Sequence, residues 1–126
     1  MNTLDSSAIL VYFLREAGWE RMKKILNEPC SISAVILAEC AMKFAKKTDQ
    51  TVTSAYAQLL AMNMTILPFS ERESGVLCTI PTLTTAQLSL ADRICLATAI
   101  AHNHTIVTAD KLWATLGLPV KVTLIR

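Results

Sequence analysis

At 126 residues the chain is long enough to bury one sizeable core and too short for two, so residues 1–126 are expected to form a single domain. Hydrophobic residues make up 52% of it and charged residues 17%, an apolar excess that argues against disorder and for extensive burial, part of it against a partner. A formal net charge of +2 is not the footprint of a dedicated nucleic-acid binder. The uncharged stretch 74–91 is broken by Pro81 and by Ser, Thr and Gln, so nothing reaches the roughly 20 apolar residues that a bilayer span needs. The start, Met1-Asn2-Thr3-Leu4-Asp5, lacks the basic and apolar regions of a secretory signal, which makes a cytoplasmic location the expectation.

Apolar runs with β-branched residues predict strands at 2–4, 30–32, 64–69, 105–107 and 120–125. Helical spacing fills the gaps at 7–14, 16–26, 34–47, 50–62, 71–77, 90–101 and 111–116. This alternation predicts an α/β fold with a parallel or mostly parallel sheet. Three helix starts are legible: Ser33 before an apolar helix, a capping box in Ser70-Glu71-Arg72-Glu73, and its Asp variant in Ser89-Leu90-Ala91-Asp92. Gly18, Gly75 and Gly117 are isolated, so no glycine-rich phosphate loop exists.

Cys30, Cys40, Cys78 and Cys95 form no Cys-x-x-Cys pair and are expected to be reduced core thiols. His102 and His104 flank Asn103 before a strand, and two histidines do not close a metal site.

The acidic residues divide by context. Glu16, Glu20, Glu28, Asp49, Glu71 and Glu73 lie in polar surroundings and are expected on the solvated surface. Asp5, Glu39, Asp92 and Asp110 sit inside apolar strings, where an unpaired charge is costly. Each has a local explanation. Asp5 and Asp110 are placed to cap helices, Asp92 is the third-position acid of the Ser89 box, and Glu39 has Lys43 at i+4. The other explanation is one shared site at the carboxyl ends of the strands, where loops of an open α/β sheet converge. Four carboxylates about 5 Å apart would repel by roughly 3 kcal/mol per pair at an effective dielectric of about 20, and by about 20 kcal/mol in all. That exceeds the ~5 to 15 kcal/mol net stability of a small domain. Such a cluster must hold protons or cations, and an all-oxygen donor set favours Mg²⁺ or Mn²⁺, which suits phosphodiester hydrolysis by an activated water.

Four ordered segments carry a resemblance: Leu4-Asp5-Ser6-Ser7-Ala8, Ile32-Ser33-Ala34-Val35 leading to Leu37-Ala38-Glu39, Leu88-Ser89-Leu90-Ala91-Asp92-Arg93-Ile94-Cys95-Leu96-Ala97, and Val107-Thr108-Ala109-Asp110 followed by Trp113. With them the chain resembles the PIN domain superfamily, and within it the VapC-type ribonuclease toxins of type II toxin-antitoxin pairs. The resemblance implies a PIN-like three-layer fold with a central sheet of about five strands flanked by helices. It implies catalytic and metal-binding roles for Asp5, Glu39, Asp92 and Asp110, and supporting hydroxyls at Ser6 and Thr108. It further implies Mg²⁺ or Mn²⁺ as cofactor, RNA as substrate, a cognate antitoxin that blocks the acidic groove, and a homodimer within a toxin-antitoxin complex.

Lys43, Lys46 and Lys47 share a helix face with Glu39 and either steer an RNA backbone or end a solvated helix. Trp19 and Trp113 are expected to pack or lie at interfaces, and Arg93 to be structural. Two other function classes compete with the nuclease. One is a catalytically silent PIN-like scaffold that holds a partner's basic tail. The other is a phosphoacceptor receiver or phosphatase, disfavoured because Ser6 and Ser7 follow Asp5 where a second acid would be needed.

Overall fold

The computed structural model describes residues 1–80 and 88–126. Pro81 falls outside them, so its interruption of the stretch 74–91 is not described. No helix among the described residues is long and apolar enough to cross a membrane.

Five strands form one sheet: β1 (Asn2–Leu4), β2 (Cys30–Ser33), β3 (Thr65–Leu67), β4 (Thr105–Thr108) and β5 (Val122–Leu124), in the order β3-β2-β1-β4-β5. Every pairing is parallel. The inner strands are buried and the outer ones are not: Thr3, Leu4, Ile32 and Ile106 have no exposed surface, whereas Ile66 of β3 is 42% exposed. β3 and β5 are shorter than the apolar runs 64–69 and 120–125. An edge strand is regular only while its single neighbour supplies partners, and these pairings involve only three residues of each edge strand.

Six helices connect the strands: α1 (Ser6–Phe13), α2 (Trp19–Ile25), α3 (Ala34–Thr48), α4 (Val52–Leu60), α5 (Glu71–Leu77) and α6 (Leu90–His102). The segment predicted as a seventh helix, 111–116, is a 3-10 turn over Lys111–Thr115. The chain leaves β1 and β2 towards one edge, then crosses back to β4 and continues to β5 at the other. Parallel crossovers are right-handed, so this reversal places α1 to α4 on one face and α5 and α6 on the other. It also makes the carboxyl ends of β1 and β4 the point where neighbouring connections diverge, the crevice in which open α/β sheets bind ligands.

The α6 helix is the core helix. Ile94, Cys95, Leu96, Ala97, Thr98 and Ala99 are all buried, and α6 packs on α3, α5 and the central strands. An apolar surface running round a helix is expected of one enclosed on all sides. Its entry is held by a reciprocal box: Ser89 Oγ accepts from the Asp92 amide at 3.1 Å and Asp92 Oδ2 accepts from the Ser89 amide at 3.1 Å. Trp113 is 1% exposed and belongs to the core, while Trp19 is half-buried with the Arg15 guanidinium 4.4 Å from its ring centre.

Two expectations are corrected here. Cys30, Cys40 and Cys95 are buried free thiols, but Cys78 is exposed, because it ends α5 on the solvent side. Glu73 is not a solvated surface acid. It is 3% exposed, its Oε2 accepts from the Ser70 amide at 2.9 Å and from the Ser70 hydroxyl, and its Oε1 lies 2.9 Å from His102 Nε2. The Ser70 capping box recognised in the sequence therefore folds inward and ties α5 to the end of α6. The other five acids of that group are exposed.

These bonds, the Ser70 hydroxyl first, hold the Glu73 carboxyl at about 2 against an ordinary value of 4.5. A depressed carboxyl stabilises the fold above its unfolded value and loses that contribution as pH falls towards the folded one. Urea midpoints are accordingly expected to fall between pH 4.5 and pH 2, and Glu73→Gln should flatten that dependence.

Gly18 turns the chain from α1 into α2 at φ +101°, and a Cβ there would lie 2.3 Å from the Ile125 carbonyl oxygen. That is the reason α2 starts at Trp19 and not at Glu16. Gly18→Ala should cost roughly 2 kcal/mol in urea denaturation, since it combines a strained φ with a backbone clash.

Candidate active site

Asp5 follows β1 directly and has the extended backbone of a helix N-cap, φ −83° and ψ 152°, yet its side chain makes no capping bond to α1. The carboxylate turns across the sheet end. Its Oδ2 accepts from Ser7 Oγ at 2.6 Å and from Thr108 Oγ1 at 2.9 Å. No donor among the described residues reaches Oδ1. With 6% exposure, Asp5 is the one member of the four-carboxylate set that is buried. Burial pushes its pKa up, the two hydroxyl bonds pull it down, and the charges of Asp92 and then Glu39 push it up again.

Glu39 lies in α3, one turn and a half from its start, and Ser6 Oγ donates to its Oε1 at 2.9 Å. Its other oxygen forms the expected i,i+4 pair with Lys43 at 3.5 Å, with the Glu39 side chain 23% exposed. Asp92 serves in the α6 capping box, as the local reading allowed, but the first turn of α6 lies near enough to Asp5 for its charge to act there. The buried Cys95 thiol, whose Sγ donates to the Leu4 carbonyl oxygen at 3.8 Å, is raised first by burial and then by Asp5, Asp92 and Glu39 together. Cys40 is pushed up to about 12 by burial, Asp5 and Glu39, against the opposing effect of Lys43. Ser6, next to Asp5 in the chain, thus ties Glu39 to the carboxyl end of β1, and Asp92 stands in the first turn of α6.

Asp110 stands apart from these three. It is exposed, and its Oδ1 accepts from the Leu112 amide at 3.0 Å, the capping role that its position predicts. It is tied to the others through Thr108, whose Oγ1 accepts from the Asp110 amide at 3.0 Å while donating to Asp5. Its apolar neighbours in sequence are buried on the core side of β4, and the residue that follows them emerges from the sheet end.

Ser7 is the residue that the sequence reading did not single out. Its hydroxyl donates to Asp5, accepts from the Ala109 amide at 3.0 Å and lies 3.3 Å from Thr108 Oγ1. The available signal was its place two residues after an aspartate at a strand end, where a short hydroxyl side chain can bond back to the carboxylate. Ser6 and Thr108 both bond to site carboxylates, on Glu39 and Asp5 respectively.

The arrangement offers hard oxygen donors without imidazole or thiolate, a set suited to Mg²⁺ or Mn²⁺. Among the described residues no three His, Cys, Asp or Glu side chains approach closely enough to form a finished cage. Asp92 is turned to Ser89 and one oxygen of Glu39 to Lys43. Neither His102 nor His104 takes part. His102 pairs with Glu73, and His104 Nδ1 lies 2.9 Å from Thr3 Oγ1 at the amino end of the sheet. Lys46 and Lys47 are exposed in the last turn of α3, where positive charge complements the helix dipole.

Comparison with curated proteins finds no match. Among solved structures, the chain is similar to a toxin-antitoxin complex from Klebsiella pneumoniae, with TM-score 0.78 and 20% identity over 100% of this chain and 98% of that one. It is also similar to VapBC2 from Rickettsia felis bound to a promoter DNA fragment, with TM-score 0.71 and 18% identity over 98% and 97% of the two chains. A third similar structure is FitAcB from Neisseria gonorrhoeae, with TM-score 0.69 and 23% identity over 99% and 98%. At such identities these likenesses establish the fold. The PIN domain family model matches residues 3–117, nearly the whole chain, and this protein therefore belongs to the PIN domain family.

Proposed function

We propose that the chain is a VapC-type toxin, an endoribonuclease that hydrolyses RNA phosphodiester bonds with Mg²⁺ or Mn²⁺ held by Asp5, Glu39, Asp92 and Asp110. The observation that supports this reading is the hydroxyl frame at the end of β1, where Ser7 and Thr108 hold the buried Asp5 carboxylate and the neighbouring Ser6 holds Glu39 of α3. When bound, a divalent cation would bind phosphate oxygens and activate the attacking water. The protein's part is positioning. Ser7 and Thr108 fix Oδ2 of Asp5, Ser6 orients Glu39, and Lys43 balances the Glu39 charge; Asp5 and Glu39 would be among the residues that hold the cation. Asp110 closes the rim.

A cognate antitoxin and a second copy of the chain are the proposed partners. Val35 in the first turn of α3, Leu90 in the first turn of α6 and Leu112 beside Asp110 are all large apolar residues at least 40% exposed, and all lie at the carboxyl end of the sheet. An apolar rim around an acidic groove is a surface suited to being covered by protein. The silent-scaffold reading draws on the capping role of Asp92 and the Glu39 to Lys43 pair, which give two of the acids local occupations.

Metal binding and cleavage separate the two readings. Asp5→Asn and Asp92→Asn should each lower RNA cleavage in Mn²⁺ by about a hundredfold or more. Mn²⁺ should raise the melting temperature of the native chain and leave that of Asp5→Asn unchanged, because only a ligand that binds the folded state stabilises it. Undiminished cleavage by a folded Asp5→Asn protein would refute the nuclease reading. A native chain that binds its partner but shows neither cleavage nor a response to Mn²⁺ would establish the scaffold.

The raised pKa of Asp5 has its own consequence. The folded chain holds that proton more tightly than the unfolded chain, so stability falls as pH rises from the ordinary carboxyl value through the raised one. Without metal, Asp5→Asn should therefore melt higher than the native chain at neutral pH. A lower melting point would show that the hydroxyl bonds outweigh the burial.

A further inference from the structure

A second site lies at the other end of the sheet, on the face covered by α2. The register sets its floor. Asn2 pairs with Thr105 and Val107 with Thr123, and side chains two apart along a strand share a face, so Asn2, Thr105, Val107, Thr123 and Lys121 all project to one side. The facing wall comes from α2 and the turn after it, where Arg21, Lys24, Ile25 and Glu28 recur at i, i+3, i+4 and i+7 and form one helical face. Between wall and floor is a cleft of about 650 Å³.

The charge in this cleft is unbalanced. Among the described residues no carboxylate comes within ion-pair distance of Arg21, Lys24 or Lys121. Glu28, the one acid in the lining, is engaged by Asn2 Nδ2 at 2.8 Å. Two threonine hydroxyls add donors, and Ala114, Val122 and Leu124 supply apolar surface beside them. The volume falls within the range of small-molecule sites, and three cations above a hydroxyl-bearing, partly apolar floor match a phosphate joined to a sugar and a base. An extended acidic peptide fits less well, because it would add to the exposed edge of β5, whereas the cations line the sheet face.

We infer that the cleft between α2 and the β4–β5 face binds the phosphate of a nucleotide unit, either a free nucleotide or a segment of a polynucleotide strand. Arg21 from the α2 wall and Lys121 from the floor grip the phosphate, Lys24 adds a third positive charge, and the apolar surface of Ala114, Val122 and Leu124 receives the ribose or base. The inference does not rest on the nuclease reading, because none of the four acidic site residues lines the cleft.

The test uses the full chain in EDTA, with amide chemical shifts followed during titration with AMP, adenosine, tetrauridylate and hexaglutamate. AMP or tetrauridylate should shift amides in α2 and β5, and adenosine should not. Binding of both phosphate probes supports a nucleotide pocket, and binding of tetrauridylate alone supports a strand-binding cleft. Arg21→Gln and Lys121→Gln lie on the surface and should each weaken binding about tenfold with an unchanged melting temperature. The inference is overturned if neither phosphate probe binds, if hexaglutamate or adenosine binds as well as AMP, if both Gln variants bind as the native chain does, or if the shifts cluster only around Asp5.

Discussion

Everything at the carboxyl end of this sheet depends on keeping one ionisable group where water scarcely reaches. Asp5 stands at the end of the central strand, flanked by β2 and β4, and its backbone direction is set by pairings on both sides. A carboxyl in that place is held by two hydroxyls that meet at one of its oxygens, Ser7 at the second position of α1 and Thr108 at the end of β4. Removing the hydroxyls would leave a desolvated acid with no donors, and removing the acid would leave two buried hydroxyls to find new partners. The local architecture is therefore over-determined, which is how a fold can maintain a group that taken alone opposes folding.

The same logic separates Asp5 from the other acids. Glu39, Asp92 and Asp110 are partly or fully exposed and each has a local counterpart, so they cost the fold little. A capping role does not exclude a place near the crevice, because a helix that starts at the sheet's carboxyl end carries its first turn, and the acid stabilised there by the helix dipole, at that end of the sheet.

Much of this was legible in the residue order. Strand and helix placement followed from periodicity, and the Ser33, Ser70 and Ser89 caps from single residues whose chemistry is local. What was not legible depends on contacts between distant segments. Glu73 reads as a surface acid because its neighbours Glu71, Arg72 and Ser74 are polar, and only the approach of His102 from α6 encloses it. Cys78 reads as a core thiol because it follows Val76 and Leu77, although it falls on the open side of α5. Asp110 is exposed although an apolar string precedes it, since that string belongs to β4 and ends abruptly at the sheet border. Ser7 was hidden for a different reason: a serine early in a helix is so ordinary that nothing local marks the one whose hydroxyl bridges to β4.

That bridge has a consequence in time. Ser7 and Thr108, which meet around Asp5, are separated by 101 positions in sequence. Contacts so remote cannot form until nearly all of the polypeptide has left the ribosome, and closing so large a loop is among the slower events in folding. During synthesis β2 follows β1 within some thirty residues, but for most of that interval Asp5 lacks the β4 side of its surroundings and the Thr108 hydroxyl that it supplies. Whatever chemistry the finished crevice performs, a truncated or partly made copy lacks it, and its onset coincides with the last strands joining the sheet.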